Sequence, residues 1–356
     1  MARVLLDRVV KRYGAVVALD TLTLEVQEGE FLTLLGPSGC GKTTTLRIIA
    51  GFIDPTEGRI LLGNEDVTLI PPQKRAIGMV FQDYALFPHL TIAENIGFGL
   101  KQRGVAKEQI AKRVAELLDL VRLPSVAERY PSEISGGQQQ RIALARAVAY
   151  PPRVLLMDEP LGALDLKLRE AMQIELRRIQ QQLNITTVYV THDQTEAISM
   201  SDRIAVMNLG KLEQLGMPRE IYDMPRTKFV ADFVGKINLI SGRIVGRDGG
   251  RLVVETSAKR LFAAADGRAD VNGEVALGIR PENLHLIADG MAVDGLNVID
   301  GRIASQTFAG SRLHVQVQVN DDITVLIEEK PGARVGAVGT PIRIGWSPED
   351  SIVLPG

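Results

Sequence analysis

The chain has 356 residues, a formal charge of −2 and a hydrophobic fraction of 45%, enough to bury the cores of two domains. The charge is close to balanced before and after residue 236, which leaves no basic footprint for nucleic acid, and the single cysteine, Cys40, excludes an intrachain disulfide and fits a reducing compartment. The first residues show no signal-peptide pattern, and no apolar run approaches the roughly 18 residues that cross a bilayer, so the expectation is a soluble chain that is free to dock on a membrane protein.

Up to about residue 235, short apolar runs alternate with helical segments, the pattern of an α/β domain with a largely parallel sheet. The run 31–35 reads as a buried strand. It ends at Gly36-Pro37-Ser38-Gly39-Cys40-Gly41-Lys42-Thr43, a complete G-x-x-x-x-G-K-[ST] loop, and helical residues 44–49 follow. Glycines let such a loop curl until successive N–H groups face phosphate oxygens. Lys42 can reach the β- and γ-phosphates as a point charge, and the Thr43 hydroxyl can ligate Mg²⁺. Cys40 reads as a small loop residue and not as a catalytic thiol, since no base motif accompanies it.

The apolar run 78–81 ends at Gln82. Residues 91–150 are mostly helical in pattern, with candidate helices at 94–100 and 107–121, the first weakened by Gly97 and Gly99. Inside this helical insertion, Ser135-Gly136-Gly137-Gln138 forms a second glycine turn opening a helix, a ready anion site. From the residues alone the two turns are either two phosphate sites or two halves of one. Residues 153–157 form another strand, closing on Asp158 and Glu159. Asp158 is placed to hold the Mg²⁺ hydration shell, and Glu159 to polarise a water for in-line attack on the γ-phosphate. Leu168, Met172, Leu176, Ile179 and Leu183 recur at helical spacing as a core-facing stripe, with the glutamines at 180–182 read as a solvated face. The run 186–190 ends at Thr191-His192. In each case the reactive residues follow a strand's carboxyl end, where open α/β sheets bind their ligands.

After about residue 236 the texture changes to short β-rich runs at 251–255, 274–278, 313–319, 323–328 and 341–346, separated by Gly, Asn and Asp turns. They predict a small all-β module, barrel or sandwich.

Together these residues resemble the nucleotide-binding subunit of ATP-binding cassette transporters. The loop 36–43 is similar to its Walker A motif and residues 154–158 to its Walker B motif. Gln82 matches the Q-loop, Ser135 to Gln138 the signature, Leu164-Asp165 the D-loop, and Thr191-His192-Asp193 the switch-histidine loop. The resemblance covers residues 1–235 and implies a P-loop α/β fold with a helical subdomain at about 88–152. It further implies ATP and Mg²⁺ as ligands. Glu159, His192, Gln82 and Lys42 would be catalytic, and Thr43, Gln82 and Asp158 would hold the metal. Tyr13 would stack on adenine, and Gly36, Ser38, Gly39, Cys40, Gly41, Lys42, Thr43 and Thr44 would cradle the phosphates. A second copy would bind head to tail, its Ser135, Gly136, Gly137, Gln138 and Asp165 completing the nucleotide site. Two departures are mild: Ile134 replaces the usual Leu before Ser-Gly-Gly-Gln, and Gly162 holds a D-loop position that is often Ser.

Tyr84, Leu86 and Phe87 read as a surface-exposed apolar cluster, with a loop-anchoring core as the alternative, and the same resemblance makes this region the groove where membrane permease subunits dock, on the cytoplasmic face of the membrane. An external solute-binding protein would take part indirectly, and nucleic acid would not. Residues 236–356 resemble the OB-like accessory domain of importer ATPases, most recognisably at Gly278-Ile279-Arg280-Pro281-Glu282. The run Gly345-Trp346-Ser347-Pro348-Glu349-Asp350 is closest to the polyamine, iron and phosphonate branch. A polyamine is therefore the expected solute, with ferric iron, organophosphonate, sulfate or sugar as alternatives, and a non-transport ATPase as the alternative class.

Overall fold

The computed structural model describes residues 1–162, 164–264, 273–288, 292–333 and 335–356, and the chain divides into two compact units, Met1–Pro218 and Arg219–Gly356. The first unit runs β1 (Val4–Tyr13), β2 (Val16–Val26), β3 (Phe31–Leu35), α1 (Lys42–Ala50), β4 (Glu57–Leu62), β5 (Glu65–Asp66) and β6 (Ile77–Val80). The helices α2 (Ile92–Gln102), α3 (Lys107–Leu120) and α4 (Gly136–Ala147) follow. The unit then alternates β7 (Val154–Asp158), α5 (Leu166–Leu183), β8 (Thr187–Thr191), α6 (Gln194–Met200), β9 (Arg203–Asn208) and β10 (Lys211–Gly216).

Six strands form a sheet in the order β10-β9-β3-β8-β7-β6, parallel except for the β9–β10 hairpin. Strands β3, β7 and β8 are short and nearly all buried, so they read as continuous apolar runs instead of alternating ones. A separate antiparallel sheet, β2-β1-β4-β5, lies beyond what the apolar runs announced. Its strands share one hydrophobic cluster with the apolar face of α1 and the strands β3, β7 and β8. The helix α2 forms despite its glycines. Thr91 and Glu94 close a reciprocal capping box at its start. Gly97 is needed where α2 meets α3, since a Cβ there would lie 2.9 Å from Ile110 Cγ2.

The helix α5 buries Met172, Leu176 and Ile179 as its spacing predicts, but the solvated-face reading fails for Gln180. Gln180 is buried, and its amide donates to the carbonyls of Gly29 (2.9 Å) and Ile185 (2.8 Å). These backbone acceptors lie outside the helix, so periodicity holds no trace of them.

The second unit begins one residue into the short helix α7 (Pro218–Asp223), takes in α8 (Lys228–Phe233) and, among the described residues, continues into ten antiparallel strands. These make two five-stranded sheets around one shared core that includes Ile240, Leu277, Val315, Ile344 and Trp346. The division falls before the boundary at 235 that the motifs suggested. Arg280 supplies the reason. It is buried in the β unit and donates to the carbonyls of Tyr222, Ala231 and Lys236, while its guanidinium lies 4.0 Å from the Tyr222 ring centroid. Tyr222 in turn donates to Glu282 at 2.5 Å. Burial and that carboxylate push its phenol up to about 12. One arginine thus secures both linking helices to the β unit.

Candidate functional site

The register of the parallel sheet gathers the reactive residues on one edge. Leu35 pairs with Thr191, Val190 with Asp158, and Met157 with Val80. The loop after β3, the carboxylates after β7, His192 after β8 and Gln82 after β6 therefore emerge side by side.

Residues 36–43 wrap the start of α1. Gly41 caps that helix at φ 103° and has no room for a side chain, since a Cβ would sit 2.7 Å from the Ala18 carbonyl oxygen of the β1–β2 hairpin. Ser38 and Gly39 are exposed, whereas Cys40 is buried and burial pushes its thiol up, in keeping with an inert packing role. Lys42 is 5% exposed, and its ammonium donates to the carbonyls of Gly36 (2.8 Å) and Pro37 (2.9 Å). The loop's own oxygens hold the cation where phosphate oxygens would be exchanged for them. At the first turn of α1, Thr43 Oγ1 donates to Asp158 Oδ1 at 3.1 Å, and Thr44 is half-buried beside it in sequence. Burial raises Asp158 above the ordinary carboxylate range against the pull of Thr43 and Arg47. Among the described residues no group of three or more His, Cys, Asp or Glu side chains gathers to hold a metal. A hydroxyl beside one carboxylate is instead the sparse oxygen set that suits Mg²⁺, an ion that keeps waters and phosphates as its other ligands.

Glu159 has a left-handed backbone, φ 44°, one residue past the strand. Its N–H donates to Val190 O at 3.0 Å, which holds that conformation in place, and its Oε2 lies 3.1 Å from His192 Nδ1. A strained, locked carboxylate touching an imidazole is an arrangement that can orient a water and take its proton. Gln82 is exposed two residues beyond β6. Tyr13 is half-exposed at the end of β1, with Lys11 Nζ 5.0 Å from its ring centroid.

The signature turn faces elsewhere. Ser135 and Gln138 satisfy each other in a capping box, with Gln138 N donating to Ser135 Oγ and Ser135 N to Gln138 Oε1. Ser135 and Gly136 are exposed, and Gly137 packs on α5 so closely that a Cβ there would lie 3.1 Å from Leu168. A Cβ on Gly136 would lie 3.7 Å from Leu164. Asp165 caps α5 by accepting from Leu168 N at 3.0 Å. The turn therefore packs on the start of α5 and leaves Ser135 and Gly136 exposed.

One expectation changes. Tyr84 is buried in the helical core, with Leu86 packed against that core and only partly buried, so the exposed apolar cluster reduces to part of its predicted extent. The cause is Arg146 at the end of α4. Arg146 donates to Ala85 O (2.6 Å) and Tyr84 O (2.8 Å) and lies 5.5 Å from the Phe87 ring centroid, drawing the loop after Gln82 inward through two left-handed residues, Tyr84 and Ala85. Arg75 was likewise silent in the sequence. Fully buried, it donates to four carbonyls, including Ile48 and Ile49 at the end of α1. Nothing in the local pattern marks these arginines, because what they bind is backbone carbonyl, some of it 26 to 62 residues away.

The ABC transporter family model matches residues 19–162, and the TOBE domain model matches residues 277–354. A spermidine/putrescine import ATP-binding protein PotA of Thermobifida fusca is 46% identical over 360 residues, covering 99% of this chain and 93% of that protein. The protein of the same name from Acidothermus cellulolyticus is 50% identical over 347 residues, covering 96% and 90%. Among solved structures, a dimeric bacterial ABC transporter cassette matches with TM-score 0.54 at 35% identity, over 61% of this chain and 99% of the cassette. The same cassette is also known as a dimer in a post-hydrolysis state bound to ADP and Pi. With its strand-end residues on one edge and near full-length likeness to these proteins, the chain belongs to the ABC transporter ATPase family and carries a C-terminal TOBE domain.

Proposed function

We propose that this chain is the ATP-hydrolysing subunit of a polyamine importer, working as a head-to-tail dimer on the cytoplasmic face of the membrane. The observation that carries the hydrolytic reading is the Glu159–His192 contact beside the Thr43–Asp158 pair. In this reading Lys42 leaves the Gly36 and Pro37 carbonyls for the β- and γ-phosphates, and Tyr13 stacks on adenine. Thr43, Gln82 and Asp158 would hold Mg²⁺, which would supply positive charge to the phosphates when bound. Glu159 accepts the proton of the attacking water, and His192 fixes the carboxylate that does so. The outward-facing turn at Ser135, Gly136, Gly137 and Gln138, with the adjacent Asp165, closes over the nucleotide of a second copy.

The polyamine assignment rests on the relatives, whose likeness runs through the C-terminal unit as well as the ATPase unit. No helix among the described residues is long and apolar enough to cross a membrane; in this reading partner permease subunits, as in an importer of the kind these relatives are named for, carry the solute across. A cavity of about 370 Å³ next to Gln82, lined by Phe81, Ala85, Phe87, Phe98, Arg146 and Tyr150, is the surface we assign to a permease segment. Arg146 holds its wall through the Tyr84 and Ala85 carbonyls, two and three residues past Gln82, which suits a relay between nucleotide and permease.

Two experiments test this reading. Ser135→Arg places a bulky cation in the turn, and its expected effect is a loss of turnover of at least about tenfold while a monomer binds ATP as before. Retained activity argues against the shared site. Reconstitution with the permease and solute-binding protein encoded beside this chain is expected to give ATP-driven spermidine or putrescine uptake. Uptake of iron or phosphonate instead overturns the polyamine assignment and leaves the ATPase standing.

A further inference from the structure

Arg169 sits in the first turn of α5, where the helix dipole disfavours a cation. Its fork of donors faces three elements. Nη2 donates to Leu164 O at 2.9 Å, in the segment that packs under the signature turn. Nη1 donates to Asp193 Oδ2 at 3.3 Å. Nε is buried without a hydrogen-bond partner and points at Glu196 Oε1 from 3.9 Å, too far to bond. Both acids follow His192 in the chain and are bonded to each other and to the end of β8 that precedes it. Asp193 N donates to Thr191 Oγ1 at 3.0 Å, and Asp193 Oδ1 caps Glu196 N at 3.1 Å. Glu196 is 3% exposed and accepts from Tyr189 (2.6 Å) and Thr191 (2.7 Å), the β8 residues on either side of Val190. His192 itself is well exposed, with Glu159 as its polar contact. Its position is therefore set by the backbone on which Asp193 and Glu196 are anchored.

We propose that Arg169 is a positioning residue for hydrolysis, reading the place of Leu164 and setting that of His192 through Asp193 and Glu196. The inference rests on the proposed shared-site dimer. A nucleotide pressed on the signature turn by a second copy bears on Gly136 and Gly137, which lie against Leu164 and Leu168. A displacement of about 1 Å at Leu164 is enough to close the unmade Nε bond to Glu196. Arg169 then has two discrete arrangements, one for the open turn and one for the covered turn. In this way occupancy of one nucleotide site reaches the Glu159–His192 pair of the same chain's own site, and the two sites of the dimer fire together. Only a planar, five-donor guanidinium spans these three acceptors at once.

The test uses the full-length chain, with steady-state phosphate release and ATP-dependent light scattering as readouts. Arg169→Met is expected to lower kcat by about tenfold or more, with KM for ATP changed by less than about twofold. Arg169→Lys should fall between the two, because an ammonium meets one acceptor at a time. Combined with Glu159→Gln, Arg169→Met should still form the ATP-bound dimer, since the relay acts after closure. A kcat near wild type, a rise in KM in step with the fall in kcat, or loss of the ATP-bound dimer in the double variant each overturns the inference. If Arg169→Met does not fold, Asp193→Asn keeps the α6 cap and weakens the same link, and an unchanged kcat there overturns it equally. A Glu159→Gln protein that still hydrolyses ATP near the wild-type rate removes Glu159 from the role of base in the proposed site. A Glu159→Gln protein that stalls as a dimer beside a fully active Arg169→Met sinks this inference alone.

Discussion

Glu159→Gln is expected to bind ATP, stall as a closed dimer and turn over at least about a hundredfold more slowly than the wild type. The substitution preserves volume and a hydrogen bond to His192 while removing the one carboxylate placed to accept a proton. The left-handed backbone at φ 44° and the bond from its N–H to Val190 are untouched, so the strain stays where it was. Loss of activity would then report chemistry and not misfolding. Phosphate release measures the rate, and light scattering with ATP measures the dimer. Turnover near the wild-type rate would remove Glu159 from the role of base, since among the described residues the neighbouring carboxylate, Asp158, is already bonded to Thr43.

Lys42→Ala is expected to weaken ATP binding by about tenfold to a hundredfold, the range of one charged hydrogen-bonding group withdrawn from a buried anion. The effect has two parts that can be told apart. In the free protein the ammonium holds the loop by its Gly36 and Pro37 carbonyls, so its removal loosens the loop and lowers the thermal midpoint. In the bound protein the same charge meets phosphate. Equilibrium ATP titration beside a melting curve separates them. A lower midpoint with unchanged ATP affinity would leave Lys42 a loop brace and nothing more.

Much of the proposed site is readable in the sequence because its parts are local. A strand, a tight turn and a helix start place Lys42 and Thr43 within a few residues of Gly36, and the spacing alone encodes the curl. The same holds for Asp158 and Glu159 at the end of β7 and for His192 after β8. The α/β class follows from apolar runs alternating with helical periods. The antiparallel sheet on β1 is less legible, since its long strands carry bulges and mixed burial that blur a period of two.

What the chain's order of residues determined by itself is the set of groups in the proposed site: a glycine loop with its lysine and threonine hydroxyl, a carboxylate pair, a histidine, and a second glycine turn with no lysine of its own. Tertiary structure alone decided how these are held together. It buried Tyr84 under Arg146, turned Gln180 from a solvated residue into a backbone brace, and placed the unit boundary ahead of the helices that Arg280 secures. It also set Arg169 between the D-loop and His192. The reason is the same in each case. A buried polar side chain must find partners wherever the fold brings them, and those partners are mostly carbonyls dozens of residues away that carry no side-chain signature.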